Sequence, residues 1–487
     1  MKAQEATIIE PIQAQPAGPR QIDPQLLSQL RSIVDDAGLL LGADVHSRHP
    51  GVFMSRIEAD ALIRPTTTEQ VSRILALCNE YRQPVVVQGG MSGWVRATQT
   101  RPGDLALSLE RMNRIESVDT ANRTAVVQAG VVLETLQDHL EQHELIFPLD
   151  LGGRGSCQVG GNAATNAGGV RVIRYGMMRE QVLGMEVVLA DGRVVSSLNQ
   201  MIKNNTGYDL KQLFIGSEGT LGVITRLVLR LREQPSSCNT ALVCASSFEQ
   251  IARLLRHMDS ALGGQLSAFE LLDNNFYRVN TAPGRHAPPL PTDKPYYAII
   301  ESLGSDQQHD AEMFARALEQ GIELGMIEDA VIAQSERDKQ GIWNIREDLE
   351  HIVRDFQPFY AFDISLPVGD MEQYMRQVTE RLHRRWPEGA IAFLGHVGDG
   401  NLHIAIGAGT AEDREDVEAC VYEPLEPFGG SVSAEHGIGL EKKRWFPISR
   451  SPVERLVMQQ FKALLDPNGI LNPGKVLDLD ADAGIAG

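Results

Sequence analysis

Two histidines flank a short run that is typical of a tight hairpin. The run reads HVGDGNLH over residues 396–403, so its two ends are His396 and His403. If Asp399 and Gly400, a dipeptide favoured in type I′ turns, form the loop, then His396 faces His403 across the hairpin. Directly opposed side chains lie about 4.5–5.5 Å apart at Cβ, close enough for both to bind one metal ion. The alternative is a histidine pair that merely caps a hairpin.

A second run, SAEHG over residues 433–437, offers further groups that could do chemistry. Two imidazoles need at least one more ligand to hold a metal, and this run supplies the carboxylate of Glu435. It also supplies the imidazole of His436, which titrates near neutral pH and can act as a base. For this run alone, a solvated loop is the alternative.

Two glycine-rich tracts are the most unusual local compositions in the chain. They span residues 88–93 and 152–169, and nearly every side chain in the longer one is small. Small residues let backbone N–H groups approach a bulky ligand closely, so two tracts could hold an extended dinucleotide. Neither matches GxGxxG after a strand and GxxxxGK[ST] is absent, which disfavours a Rossmann NAD site and a P-loop. Glycines that only form turns are the alternative.

Length and charge limit the classes of protein and partner. The chain has 487 residues, too many for one compact core, which predicts two or three packed units. There are 45 Lys and Arg residues against 64 Asp and Glu residues, for a formal net charge of −19. This charge repels nucleic acid and anionic lipid, so we expect neither as a main partner. A small anionic substrate must therefore be bound by a local positive site.

The cysteines favour a reducing, cytoplasmic location. Five of them are scattered through the chain and never spaced as CxxC, which argues against a disulfide framework or a cysteine zinc site. No apolar run approaches the length of a membrane span. Residues 1–20 lack a basic region followed by an apolar region, so we expect a mobile tail rather than a secretory signal.

Apolar spacing predicts two groups of helices and strands. The first group, up to about residue 232, has a glycine-rich middle and comprises helices at 69–82 and around 133–140, strands at 85–87 and 104–109, and a hairpin at 185–195. The second group, after Pro235, comprises helices at 248–258 and 311–324 and strands at 296–302, 362–366 and 391–394. The second group suggests an α+β domain.

Several segments, taken together, resemble one family of flavoproteins. They are QGGMSG at 88–93, PLDLG at 148–152, GGN at 160–162, NTGYDL at 205–210, GSEGTLG at 216–222 and LNPGK at 471–475. The family is the vanillyl-alcohol oxidase / para-cresol methylhydroxylase type, and within it the FAD-linked D-2-hydroxyglutarate and D-lactate dehydrogenases. The resemblance runs from about Ile63 to Leu477.

This resemblance implies an α+β fold, in which a two-subdomain FAD-binding domain precedes an α+β cap domain. We expect a tail at 1–25, the FAD-binding domain at 26–235, the cap with the metal site at 236–444, and a C-terminal segment at 445–487 that returns to the flavin. Relatives with covalent flavin carry His or Cys in defined loops, whereas this chain has Met91 and Ser92, so the expected FAD is non-covalent.

The resemblance also implies which residues bind FAD. They are Gln88, Gly89, Gly90, Met91, Ser92, Gly93, Pro148, Asp150, Leu151, Gly152, Ser156, Gly160, Gly161, Asn162, Thr165, Asn166, Gly168, Gly169, Tyr175, Gly176, Glu218, Gly219, Gly222, Ile224 and Asn472.

Metal-dependent members of the family carry HxGDGNxH and SAEHG. By position, His396, His403 and Glu435 are then the metal ligands, and His436 is the catalytic base. Zinc or manganese would suit this set. The implied reaction oxidises a D-2-hydroxy acid, of the D-2-hydroxyglutarate or D-lactate type, to the 2-oxo acid by hydride transfer to flavin N5. Asn401 and His436 are expected to contact this substrate.

One part of the predicted substrate site departs from the family pattern. Arg346, in a run WNIR that we expect to open a helix, matches an arginine that grips a substrate carboxylate in relatives. A surface pair between Arg346 and Glu350 is the alternative. The hydroxyglutarate enzymes have Thr at the position of Glu350 and Lys at that of Ala361. A second, distal substrate carboxylate is therefore in doubt, and a longer or aromatic acid such as D-mandelate becomes a competitor.

Two other kinds of function remain open at this point. One is a non-catalytic flavoprotein scaffold, which the joint presence of the histidines, Glu435 and Arg346 disfavours. The other is an oxidase or aryl-alcohol enzyme of the same superfamily, members of which usually lack the paired-histidine hairpin. An electron-transfer flavoprotein or a quinone is the expected electron acceptor, and a homodimer is the expected assembly.

Overall fold

The computed structural model describes residues 21–478. Most of the predicted tail, residues 1–20, lies outside the described residues. Its last part does not: a helix begins at Pro24, where the Asp23 side chain accepts a hydrogen bond from the backbone N–H of Gln25. Leu26 in that helix is fully buried, which ties this start to the core.

The N-terminal domain, up to residue 235, contains eight helices and eleven strands among the described residues. The helices are α1 (Pro24–Arg31), α2 (Ala43–His46), α3 (Thr68–Glu80), α4 (Leu133–Glu141), α5 (Val159–Thr165), α6 (Val172–Tyr175), α7 (Met178–Gln181) and α8 (Lys211–Phe214). The strands are β1 (Leu39–Leu41), β2 (Ala61–Ile63), β3 (Val85–Gln88), β4 (Leu105–Ser108), β5 (Ile115–Asp119), β6 (Thr124–Gln128), β7 (Leu145–Ile146), β8 (Val182–Val188), β9 (Val194–Ser197), β10 (Val223–Arg230) and β11 (Arg232–Glu233).

Two larger sheets organise this domain. The first has the order β1-β2-β4-β3, and its β2, β4 and β3 run parallel. The second has the order β5-β6-β10-β8-β9 and is antiparallel. Its β8–β9 hairpin turns at the predicted dipeptide, where Gly192 has a φ of +87° that favours glycine. Apolar side chains from both sheets join one hydrophobic core.

The residues predicted as the cap domain (236–444) and the C-terminal segment, of which residues 445–478 are described, contain the remaining elements. The helices are α9 (Phe248–Ala261), α10 (Asn274–Asn280), α11 (Gln307–Glu323), α12 (Glu336–Glu347), α13 (Glu350–Asp355), α14 (Met371–Arg385), α15 (Arg414–Tyr422), α16 (Phe446–Ser449) and α17 (Pro452–Leu465). The strands are β12 (Ser237–Ala245), β13 (Leu266–Asp273), β14 (Tyr296–Gly304), β15 (Asp329–Ile332), β16 (Phe359–Ser365), β17 (Ala390–His396) and β18 (Asn401–Gly407).

The cap is built on a seven-stranded sheet of order β15-β12-β14-β13-β17-β18-β16, whose paired strands are all antiparallel. Because side chains alternate between the faces of a strand, each face has its own core. One face packs against α9, α11 and α14. The other packs against α10, α12 and α13, and it also carries the polar residues of the site described below.

The C-terminal segment returns to the N-terminal domain. Leu471 forms a β-bridge with Val85, and the Asn472 side chain accepts a hydrogen bond of 2.9 Å from the backbone N–H of Val87. The buried ammonium of Lys462 donates to the carbonyls of Thr220 and Leu471, which anchors α17 at the same place. Over residues 21–478, no helix combines the length and the apolar character needed to cross a bilayer.

Candidate active site

The hairpin that carries both histidines has a longer connection than the sequence predicts. Leu394 pairs with His403, so the predicted pairing of His396 with His403 is wrong. A 3-10 turn over Val397–Asp399 and a left-handed Gly400 connect the strands in place of a two-residue loop. This turn buries Val397 completely in the cap core, which is the physical reason for the different register.

The two imidazoles still meet, because residues 394 and 396 lie on the same face of β17. Their ring centroids are 5.2 Å apart. The carboxylate of Glu435 completes the group: ligand atoms of His396, His403 and Glu435 all lie within 4.8 Å of one another. Two imidazole nitrogens and one carboxylate oxygen at this spacing fit zinc or manganese with an open coordination position.

Glu435 is held in place by the N-terminal domain. Its Oε1 accepts a 2.7 Å hydrogen bond from the backbone N–H of Gly169 and lies 3.6 Å from Nε2 of His396. A side chain at Gly169 would clash with the carbonyl of Asp150, so only glycine allows this close approach. The longer glycine tract therefore positions a candidate metal ligand.

A buried carboxylate fixes the orientation of His396. Nδ1 of His396 donates to Oε1 of Glu270 at 2.6 Å, which leaves Nε2 directed toward Glu435. Glu270 is fully buried, and its Oε2 accepts a 3.0 Å hydrogen bond from Nε of Arg346. Burial alone would lower the pKa of His396, but the charge and hydrogen bond of Glu270 raise it to about 9.

A second buried carboxylate, Asp363, faces His403. The distance from Nδ1 of His403 to Oδ1 of Asp363 is 3.8 Å. Burial and the nearby charge of His396 hold the pKa of His403 well below its usual value. Burial would raise the pKa of Asp363. The electrostatic interactions with His436, Lys442 and His403 outweigh burial and hold this pKa well below its usual value. The site therefore keeps a charged carboxylate beside a neutral imidazole.

His436, the predicted base, is stacked with two other rings. The centroid distance is 5.4 Å to Trp94 and 6.2 Å to His403. Nδ1 of His436 is 3.7 Å from Oδ2 of Asp363, which leaves Nε2 as the atom able to take a proton. Burial lowers the pKa of His436, so the ring is neutral at pH 7 and suited to act as a base.

The backbone of the loop at 435–439, here called the base loop, is held by two carboxylates. Oδ2 of Asp363 accepts the N–H groups of Glu435 and His436 at 2.9 and 3.0 Å. The carboxylate of Glu218 accepts the N–H groups of Ile438 and Gly439 at 2.7 and 2.9 Å. One carboxylate belongs to the cap and the other to the N-terminal domain, so the base lies at the boundary of the two domains.

An open cleft lies between the glycine tracts. Ten of the predicted FAD-binding residues line it: Gln88, Gly89, Gly160, Gly161, Thr165, Glu218, Gly219, Gly222, Ile224 and Asn472. The buried Oε1 of Gln158, which also lines the cleft, has no hydrogen-bond partner among the described residues. A side chain at Gly90 would clash with the backbone of Ser156, so the two tracts pack closely. An open cleft with an unpaired acceptor fits a large polar cofactor.

The other predicted FAD-binding residues do not line this cleft. They are Gly90, Met91, Ser92, Gly93, Pro148, Asp150, Leu151, Gly152, Ser156, Asn162, Asn166, Gly168, Gly169, Tyr175 and Gly176. Several of their side chains have protein partners instead. Asp150 pairs with Arg154 at 3.2 Å and with Arg171 at 3.4 Å. Asn166 accepts from the backbone N–H of Arg179.

The predicted substrate residues lie beside the candidate metal ligands. Arg346 lies in the last turn of α12 and does not open a helix, which corrects the sequence interpretation. It pairs with Glu270 rather than with Glu350, and its Nη2 is 3.4 Å from Nε2 of His396. Only 13% of its side chain is exposed. Arg346 can therefore present a guanidinium edge next to the metal ligands.

Asn401, a predicted substrate contact, is buried. Its Nδ2 donates to Oδ1 of Asp363 and to the carbonyl of Ile364, both at 2.9 Å. The buried Oδ1 of Asn401 has no partner among the described residues. In this structure Asn401 supports Asp363.

Ala361 lies on the site face of the cap sheet. It pairs with Ala405, two residues from the pairing of Asp363 with His403, so all four side chains point the same way. Ala361 is exposed. Neither alanine brings a charge to this part of the site.

Sequence reasoning missed three residues that touch the predicted ligands or the base: Glu270, Asp363 and Trp94. Glu270 and Asp363 are charged residues in largely buried strands, and a charged residue in such a strand is a signal for a polar partner. Trp94 directly follows the first glycine tract. No local pattern indicated that it stacks on His436.

Family models match most of the chain. The model described as "FAD binding domain" matches residues 59–197, and "FAD linked oxidases, C-terminal domain" matches residues 234–476. These matches show an FAD-binding chain and agree with the cleft between the glycine tracts.

Curated relatives are similar over nearly the whole chain. The mitochondrial D-2-hydroxyglutarate dehydrogenase of Danio rerio is 41% identical over 425 residues, covering 86% of this chain and 78% of that protein. The D-2-hydroxyglutarate dehydrogenase of Stutzerimonas stutzeri (strain A1501) is 35% identical over 463 residues, covering 93% and 99%. A Schizosaccharomyces pombe protein named putative D-lactate dehydrogenase, mitochondrial, is 38% identical and covers 85% and 81%.

Solved structures confirm the predicted fold class. p-Cresol methylhydroxylase aligns with a TM-score of 0.73 at 17% identity, covering 94% of this chain and 98% of that chain. Alkyldihydroxyacetonephosphate synthase aligns with a TM-score of 0.72 at 16% identity, covering 97% and 89%. The chain is therefore an FAD-linked oxidoreductase that belongs to the D-2-hydroxyglutarate dehydrogenase family and shares its fold with p-cresol methylhydroxylase.

Proposed function

We propose that this chain oxidises a D-2-hydroxy acid to the 2-oxo acid with non-covalent FAD and a divalent ion bound by His396, His403 and Glu435. The observation that carries the proposal is the convergence of these three ligands, within 4.8 Å of one another, beside the neutral imidazole of His436. The names of the relatives support the same substrate class.

The chemistry divides between the bound groups and the chain. When bound, the ion would acidify a substrate hydroxyl and the flavin would accept a hydride. His436 takes the hydroxyl proton at Nε2, while the hydrogen on C2 leaves with its electron pair and the C–O bond becomes a carbonyl. Arg346 offers donors for a substrate carboxylate, because its Nη2 lies 3.4 Å from His396.

The stacked rings keep the base oriented. Trp94 and His403 are both stacked with His436, at centroid distances of 5.4 and 6.2 Å, which limits how far the imidazole can tilt. Asp363 faces Nδ1 and favours the tautomer with its proton there. Nε2 is then ready to accept a proton from a correctly placed hydroxyl.

The substrate tail admits three candidates. D-2-hydroxyglutarate is the first, because most of the similar relatives carry that name. A neutral tail, as in D-lactate, is the second, because Ala361 and Ala405 bring no cation to their part of the site face. A longer or aromatic tail, such as that of D-mandelate, is the third, because the side chains of Ala361 and Ala405 are both small.

A substrate panel tests the proposal. Purified enzyme would be assayed by dye reduction with D-2-hydroxyglutarate, D-lactate, D-mandelate and the L-enantiomers. We expect turnover with at least one D-acid, loss of turnover in metal-free enzyme, and recovery with zinc or manganese. Turnover of L-acids only, or of none of these acids, would contradict the proposed function.

The non-covalent cofactor has a separate test. Acid or heat should release the yellow colour into the supernatant, because neither Met91 nor Ser92 can form the histidyl or cysteinyl bond of covalent relatives. Colour that stays with the precipitated polypeptide would contradict this part of the proposal. The electron acceptor, the homodimer and the cytoplasmic location stay predictions, and several relatives are named mitochondrial.

A further inference from the structure

Glu218 lies at the boundary between the cofactor cleft and the base loop. It belongs to the GSEGTLG run, and the sequence resemblance assigned it to FAD binding. In the structure its side chain is buried and its carboxylate accepts the backbone N–H groups of Ile438 at 2.7 Å and Gly439 at 2.9 Å. Both carboxylate oxygens are therefore occupied by the base loop.

The base loop fits closely around this carboxylate. A Cβ placed on Gly437 would lie 2.7 Å from Oε1 of Glu218, and Gly437 has a φ of +85°. On the far side, a Cβ on Gly439 would clash with the carbonyl of Val95, the residue after Trp94. The loop after His436 is thus confined between Glu218 and the segment that carries the stacking Trp94.

Glu218 is itself anchored at two points. Its backbone N–H donates to the carbonyl of Ala164 in α5 at 2.8 Å, and its carbonyl accepts from Nδ2 of Asn472 at 2.6 Å. Ala164 and Asn472 both line the cofactor cleft. Glu218 also has a φ of +52°, an uncommon conformation for a residue with a side chain, which these contacts stabilise.

We propose that Glu218 is a positioning residue that fixes the base loop, and with it His436, relative to the cofactor cleft. The inference rests on the proposed function, in which His436 must meet a substrate held against the flavin. Asp363 holds the start of the loop from the cap, and Glu218 holds its end from the N-terminal domain. Loss of Glu218 leaves the buried N–H of Gly439 and the part-buried N–H of Ile438 without an acceptor, so the loop must shift.

The test compares Glu218→Ala and Glu218→Gln with Ser217→Ala. Ser217 is a suitable control because it is buried in the same run and its hydroxyl donates only to the carbonyl of Phe214 at 2.8 Å. Each protein is purified with its cofactor, and its FAD and metal contents are measured. The rate of flavin reduction is then measured in single turnovers with saturating D-2-hydroxy acid, and separately with dithionite.

We expect Glu218→Ala to retain FAD and metal but to reduce flavin about 10²-fold more slowly with substrate, as a misplaced reacting group does. Glu218→Gln keeps one acceptor oxygen, so its rate of flavin reduction by substrate should fall roughly ten-fold. KM should change little, and the rate of flavin reduction by dithionite should equal that of the unmodified protein. The Ser217→Ala enzyme should match the unmodified protein in both rates. The conservative variant remains informative if Glu218→Ala does not fold.

A second measurement does not depend on turnover. The fluorescence of Trp94, obtained by subtracting the spectrum of a Trp94→Phe protein, should change in Glu218→Ala but not in Ser217→Ala, because the stacked His436 moves.

Two results would overturn the inference. Loss of FAD from both Glu218 variants would show that Glu218 binds the cofactor rather than positions the base loop. Substrate-driven reduction within two-fold of the unmodified enzyme, with unchanged Trp94 fluorescence, would show that Glu218 positions nothing. Failure of the unmodified enzyme to reduce its flavin with any D-2-hydroxy acid would instead count against the proposed function, and the fluorescence comparison would still decide the role of Glu218.

Discussion

The cap domain and the N-terminal domain contribute to the site in different ways. The cap supplies side chains from adjacent strands: Glu270 on β13, His396 on β17, His403 on β18 and Asp363 on β16 all point to one face of the sheet. The N-terminal domain supplies loops and backbone groups, such as the N–H of Gly169 that binds Glu435.

This difference indicates what each of the two domains contributes to the function of the site. A sheet fixes side-chain positions through many hydrogen bonds, so it suits a metal site and its orienting carboxylates. Glycine-rich loops allow close approach, so they suit a large cofactor and the seating of the base loop. Changes on the cap side should therefore alter metal affinity and the start of the base loop, whereas changes on the other side should alter the cofactor cleft and the end of the base loop.

The largest expected effect comes from removing the base. His436→Ala should slow flavin reduction by about 10²–10⁴-fold, because no other group takes the hydroxyl proton. Its metal content should remain unchanged, which metal analysis of the purified protein would check. His383→Ala, an exposed histidine of α14, is the matched control. Metal loss in His436→Ala together with metal retention in Glu435→Ala would show that the two roles are assigned wrongly.

A smaller decrease in the rate of flavin reduction is expected when the hydrogen bonds from the cap to the base loop are weakened. Asp363→Asn keeps the shape of the side chain but removes its negative charge. In the unmodified protein this carboxylate faces His436 and Lys442 and accepts two backbone N–H groups. We expect single-turnover flavin reduction to slow about 10²-fold, together with a lower melting temperature. Asp329→Asn, at an exposed position on β15, controls for a change of charge on the same sheet. Unchanged reduction kinetics would argue against the orienting role of Asp363.

Metal affinity should respond to the carboxylate behind His396. Glu270→Gln keeps an acceptor for Nδ1 of His396 but loses the negative charge, and partners of this kind are worth about 10–100-fold in metal affinity. Competition with a chromophoric chelator would measure the change. Glu301→Gln is the matched control, because Glu301 is buried on the neighbouring β14 and accepts from Ser267 rather than from a histidine. Equal metal affinities in the two variants would show that Glu270 does not contribute to metal binding.

The smallest expected effect concerns the substrate tail. Ala361→Lys combined with Glu350→Thr should raise kcat/KM for D-2-hydroxyglutarate relative to D-lactate roughly ten-fold, the value of one recovered charged hydrogen bond. Ala361→Met, which adds length without charge, is the control. A strong preference of the unmodified enzyme for D-2-hydroxyglutarate would show that another basic residue binds the distal carboxylate.

The cap side of the site was partly readable from the sequence. Residue types and spacing predicted that His396 and His403 meet, and the family resemblance added Glu435; the ligand atoms of all three do lie together. The predicted register was wrong, because it depends on the burial of Val397 in a core that local sequence does not reveal. The rings meet nonetheless, since a shift by two residues returns a side chain to the same face.

The N-terminal side was less predictable. The glycine tracts indicated a cofactor cleft, but not which of their residues line it. The carboxylate of Glu218 binds backbone groups 220 and 221 residues further along the chain, and no local pattern encodes such a contact. Trp94 stacks on His436 only because the two domains pack together.

Removal of the metal tests the central claim most directly. Treatment of the purified enzyme with a chelator, followed by desalting, should abolish flavin reduction by a D-2-hydroxy acid while the FAD content and the flavin spectrum stay unchanged. This outcome is expected because the three ligands belong to the cap and the base loop rather than to the cofactor cleft. Zinc or manganese should then restore the rate. Full activity in protein that contains no detectable divalent metal would contradict the account.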